Sequence, residues 1–171
     1  MTVTDLQKQI AQFLRAKSGE EKFTVFMYRD NAGDNPVPIA GAKKTFFSTV
    51  GTHTQSFDLP EQPVEFLTYC AEDWAPNALA SSVYWLKERS CDAWPLVCED
   101  VIADNVKKPT DYRHMAFIPA PWAMETDMTE NNQPIKWLMG VPLTDDELQF
   151  SMAEVARRIS KTYPEWLINT K

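Results

Sequence analysis

Apolar positions recur along the chain at two periods, and the switches between those periods divide it into elements. Leu6, Ile10, Phe13 and Leu14 share one face at helical spacing; Thr4-Asp5 stands before them, and Gly19 is placed to stop the helix. Phe23 to Tyr28 (FTVFMY) is dense in β-formers and apolar on both faces, which predicts a buried strand. Asn31-Ala-Gly-Asp-Asn-Pro predicts a turn. A second extended segment is expected over Thr45 to Val50, closed by Gly51 and followed by a polar loop, Thr52-His53-Thr54. Val64 to Cys70 reads as a third strand. Pro76 suits the first turn of a helix whose buried stripe is Leu79, Val83 and Leu86.

Leu96 to Ile102 holds a short strand, Asn105 to Tyr112 a loop, and Met115 to Ile118 an extended segment that runs into Pro119-Ala120-Pro121. Glu125 to Pro134 is a polar connection. Ile135, Trp137, Met139 and Val141 alternate, the period of a strand. The last helix is expected from Asp145 to Lys161, with Leu148, Met152, Val155, Ala156 and Ile159 on its buried face. Helices separated by several strands, without strict βαβ alternation, predict an α+β fold: one mixed, mostly antiparallel sheet with flanking helices. A chain of 171 residues is expected to form a single domain over 1–171.

Charge narrows the choice of partner. The net charge is −7 with a pI near 4.8, the opposite of the Lys and Arg surplus that nucleic acid demands. An acidic surface steers toward basic partners. No basic-then-apolar leader opens the sequence and no run approaches a membrane span, so a cytoplasmic protein without a membrane partner is expected. Three cysteines are an odd number and argue against a disulfide framework.

Little catalytic chemistry is legible. The five glycines stand alone and make no phosphate loop. Cys91 and Cys98 are too far apart for a zinc knuckle and read as small buried apolar residues, so no metal and no cofactor is expected. His53, in a loop after a strand, is the better placed of the two histidines. Carboxylates occur in clusters at Glu72-Asp73, Glu99-Asp100 and Asp145-Asp146-Glu147, and each reads first as solvated surface. In VPLTDDELQF (Val141 to Phe150), Thr144 and Glu147 have capping-box spacing, and the acids face the positive end of the helix dipole. Of six tryptophans, Trp137 reads as core, while Trp74 at a strand-to-helix joint and Trp122 beside the prolines are interface candidates.

The order of these motifs resembles the suppressor-of-fused domain family. TFFSTVGTHTQSF (Thr45 to Phe57) looks like that family's strand and "T-x-G-x-S" loop, and VEFLTYCAEDWAPNALASSVYWLKE (Val64 to Glu88) like its strand, acidic residue, tryptophan and helix. CEDVIADN (Cys98 to Asn105) resembles its "G-D-x-I" segment, with Glu99 in the place of the glycine. HMAFIPAPW (His114 to Trp122) is similar to its strand before prolines, and IKWLMGVPLTDDELQF (Ile135 to Phe150) to its strand, "P-L-T-x-E-E-L-x-F" turn and helix. The resemblance spans roughly residues 23 to 160.

It implies a non-catalytic protein-binding module. The animal relatives grip a peptide of Gli transcription factors as an added β-strand, using a second domain for which this chain has no room. Single-domain bacterial relatives are proposed as immunity proteins against toxins of polymorphic toxin systems. A basic toxin would suit the charge of this chain. The expected partner-binding residues are Trp74, Trp122, Glu72, Asp73, Asp100 and His53. Two alternatives are an enzyme whose site joins His53 to Glu72 or Asp100, and a homo-oligomer assembled through the tryptophan-rich surface.

Overall fold

The structure, a computed structural model, describes residues 3–30, 33–42, 45–107, 110–119 and 127–168. Helix α1 (Asp5–Ser18) opens the chain. Four strands follow, β1 (Thr24–Tyr28), β2 (Val37–Ala42), β3 (Phe46–Thr49) and β4 (Val64–Tyr69), then helix α2 (Ala75–Lys87). Next come β5 (Leu96–Cys98), β6 (His114–Pro119), the small hairpin β7 (Thr129–Glu130) and β8 (Gln133–Pro134), and β9 (Lys136–Leu143). Helices α3 (Met152–Thr162) and α4 (Glu165–Ile168) complete the described elements.

Seven strands form one sheet in the order β1-β2-β3-β4-β9-β6-β5. Its pairs are antiparallel except β4 with β9, which run parallel with Leu67 opposite Met139. The mixed sheet with flanking helices is the expected α+β architecture.

Alternation along each strand divides the core into two. Ala40, Phe46, Leu67, Ile118, Trp137, Met139, Val141 and Leu143 pack with α1 and α3 on one face. Ile39, Phe47, Val64, Phe66, Met115, Phe117 and Leu138 pack with α2 on the other. The central strands are therefore buried on both sides, which is why they read as nearly continuous apolar runs. Gly140 on β9 is a close-approach position: a Cβ there would overlap the Phe117 ring.

Local chemistry accounts for most boundaries. Thr4 and Gln7 form a reciprocal capping box at the start of α1, and Gly19 ends it in the left-handed region at φ 68°. Trp74 leads into α2 with Pro76 in the first turn, and Leu79, Val83 and Leu86 are fully buried. Trp137 is core, as its alternation predicts.

Three expectations need correction. The segment FTVFMY is a strand, but an exposed one at the sheet edge: Val25, Phe26 and Met27 are 55%, 40% and 49% exposed. Strand β2, VPIAGA, carries a proline and a glycine that disfavour a strand on local pattern, yet it forms one and every residue in it is buried. The final helix does not begin at Asp145. Residues Asp145–Glu147 make one 3-10 turn, in which the Glu147 carboxylate accepts from the Thr144 amide at 3.0 Å. The helix proper starts after a second cap, Ser151 with Glu154. Met152, placed on the buried face by spacing, is 42% exposed, while Val155 and Ile159 are buried.

Candidate functional sites

The chain after β3 turns sharply at Gly51, whose φ of 125° only glycine adopts freely, and makes a short 3-10 turn over Thr52–Thr54. That turn presses His53 against Glu65 on β4. Glu65 is fully buried and His53 is 3% exposed. The Glu65 carboxylate accepts from the Gly51 amide at 2.7 Å, the His53 amide at 3.2 Å and the Thr52 hydroxyl at 2.8 Å, and also from the Thr49 hydroxyl. His53 Nδ1 lies 2.5 Å from Glu65 Oε1. An acceptor-only carboxylate set among donors makes Nδ1 the protonated nitrogen. His53 Nε2 faces Glu130 Oε2 at 4.0 Å and has no hydrogen-bond partner among the described residues. It borders a cleft of about 330 Å³.

The sequence pattern singles out His53 and pairs it with Glu72 or Asp100, whereas in the structure its carboxylate partner is Glu65. The signal for Glu65 was available, since it is the one charge inside the buried run VEFLTY. A charge in a central strand facing the core requires a built set of partners.

Glu72, Asp73 and Trp74 converge elsewhere, at a cleft of about 460 Å³ that Asn77, Asn105 and Lys107 also line. Trp74 is only 7% exposed, with its ring 6.3 Å from that of Tyr112. Asp100 belongs to a third cluster. Its backbone is in the left-handed region (φ 57°), and its carboxylate pairs with Arg113 at 2.6 Å, which raises the Arg113 pKa. The Asp100 amide donates to His114 Nδ1 at 2.9 Å, so His114 Nε2 carries the proton and donates to Asp145 at 2.9 Å. Thus His114 is satisfied at both nitrogens, and His53 at one. Trp122 lies outside the described residues.

Cys98 is buried within the α2 core and its thiol pKa is raised by that burial; Cys70 and Cys91 are half-buried, and all three are free. Among the described residues no group of three His, Cys, Asp or Glu side chains converges on a metal position. No described helix is long and apolar enough to cross a membrane.

The remaining feature is the outer edge of β1. It pairs with β2 on one side, with Val25 opposite Ala40 and Met27 opposite Pro38, and among the described residues no strand pairs with its other side. Main-chain donors and acceptors at such an edge, flanked by exposed apolar side chains, template the addition of another strand.

No protein-family model matches the chain. It is 25% identical over 186 aligned residues to the immunity protein YqcF of Bacillus subtilis, covering 100% of this chain and 93% of that protein. Among solved structures it superposes, with a TM-score of 0.57, on a Neisseria gonorrhoeae protein described as a homologue of suppressor of fused. That match is 14% identical and covers 98% of this chain and 96% of the other. The fold is therefore suppressor-of-fused-like, as the motif order implied.

Proposed function

We propose that this chain is a non-catalytic, protein-binding immunity domain that neutralises a protein toxin in the cytoplasm, docking it along the open edge of β1. The observation that carries the reading is the exposed apolar edge strand, Val25, Phe26 and Met27, on an otherwise well-buried sheet. Its occupant is an extended segment of a basic partner, since the chain carries 24 acidic against 17 basic residues. The full-length likeness to an immunity protein supports the same role.

The test is co-expression with a candidate toxin from a neighbouring gene. Growth rescue, together with a stoichiometric complex of the two purified proteins, is expected. No rescue and no complex would overturn the proposal, as would a β1 edge already consumed by stable self-association in the free protein.

A further inference from the structure

The cleft beside β4 contains a built polar site that the β1 edge does not use. Among the described residues, two buried polar atoms of its lining have no hydrogen-bond partner, His53 Nε2 and the Gln55 side-chain oxygen. Buried polar groups are normally paired, so two orphans on one cleft call for a ligand of matching chemistry.

Glu65 dictates what His53 presents: with Nδ1 donating to the Glu65 carboxylate, the uncharged form of the ring presents a lone pair at Nε2. That lone pair faces the Glu130 carboxylate across 4.0 Å, acceptor against acceptor and too far apart for a direct bond. The Gln55 oxygen adds a third acceptor, and among the described residues no Lys or Arg lines the cleft. An anion would meet lone pairs at all three groups. A ligand carrying several N–H donors and a positive charge satisfies them, and a nitrogen set to one side of the 4.0 Å gap reaches both Nε2 and Glu130 at hydrogen-bond distance.

We propose that this cleft receives a cationic side chain, the ammonium of a lysine or the guanidinium of an arginine, from the protein partner. Glu65 acts as the positioning residue: it fixes the tautomer and orientation of His53 from the buried side. The inference rests on the protein-binding reading above and supplies that reading with a polar specificity contact.

The test needs no partner. The uniformly ¹⁵N-labelled chain is titrated with n-butylammonium, with n-propylguanidinium, and with tetramethylammonium at equal ionic strength. Saturable movement of the His53 Nε2 resonance is expected with one or both of the first two, and the tighter of them identifies lysine or arginine. His114, bonded at both nitrogens, should not move. Glu130→Gln removes charge from a half-buried position on β7 without touching Glu65, and it should weaken binding at least tenfold with unchanged melting. The proposal is overturned by no saturable response, by an equal response to tetramethylammonium, which has no N–H, or by undiminished affinity in Glu130→Gln. A chain that neutralises its toxin yet ignores both cations overturns this inference alone. Cation binding without toxin binding tells against the proposed function instead.

Discussion

His53 Nδ1 and Glu65 Oε1 meet 2.5 Å apart at a point where both side chains are sealed from solvent. The pair joins the turn after β3 to the central strand β4, and the same carboxylate gathers the amides of Gly51 and His53. One buried charge therefore holds the turn in place, because it accepts from the buried Gly51 and His53 amides and the His53 ring.

Glu65→Ala should be strongly destabilising. It strands two backbone N–H groups and the His53 ring N–H, and breaking one side of a buried charged network costs about 3–5 kcal/mol. Urea denaturation measures the loss. A change below about 1 kcal/mol would show that the carboxylate is not what organises the turn.

Tyr163 links the C-terminal segment to the sheet centre. Its hydroxyl donates to the Gly140 carbonyl at 2.6 Å and accepts from the Tyr69 amide at 3.1 Å, and burial pushes its pKa upward. Tyr163→Phe keeps the ring and leaves the Tyr69 amide unpaired, for an expected loss of about 1–3 kcal/mol. Thermal melting of the variant, with faster amide exchange at Tyr69, is the readout.

Acid sensitivity should be traceable to Glu147. Burial raises its pKa, but the Thr144 amide and the Arg158 guanidinium outweigh that and hold the carboxyl below its usual range. A carboxyl depressed in the folded state stabilises fully above its unfolded pKa of about 4.3, and the contribution drains away as pH falls through the folded value. Glu147→Gln should lower stability at pH 7 and flatten the decline between about pH 5 and pH 3. An acid limb as steep as the wild type would refute the assignment.

The β1 edge separates binding from folding. Successive N–H groups of a strand point to opposite sides, so of Val25→Pro and Phe26→Pro one removes an N–H directed at β2 and the other an N–H directed outward. The outward one should leave the fold intact and abolish toxin binding. Val25→Lys with Met27→Lys should weaken binding at least a hundredfold, with stability changed by no more than about 0.5 kcal/mol. Calorimetric titration of the complex tests both, and full affinity in the outward-facing proline variant would rule out strand addition.

Local patterning made much of the fold legible. The α1 cap at Thr4, the stop at Gly19, Pro76 in α2 and the alternation of β9 are decided by residues a few positions apart. What misled were segments whose environment is set from outside. FTVFMY and VPIAGA lie side by side, yet the richly apolar one is exposed and the proline- and glycine-bearing one buried. Hydrophobicity cannot tell an edge strand from an interior one, because position in the sheet is a long-range property. The capping chemistry of VPLTDDELQF was legible too, but not that it closes a single 3-10 turn, since Ser151 with Glu154 begins the helix anew.

The candidate sites divide along the same line. Sequence alone determined the charge balance, most of the longer strands and helices, and the neighbours Glu72, Asp73 and Trp74 that line one cleft together. Only the tertiary structure decided that His53 answers to Glu65, twelve residues on, and to Glu130 across the small hairpin. Cap and turn chemistry acts over a few residues and is written in order along the chain. A buried charge recruits its partners through space, and which ones it meets depends on how the strands are arranged.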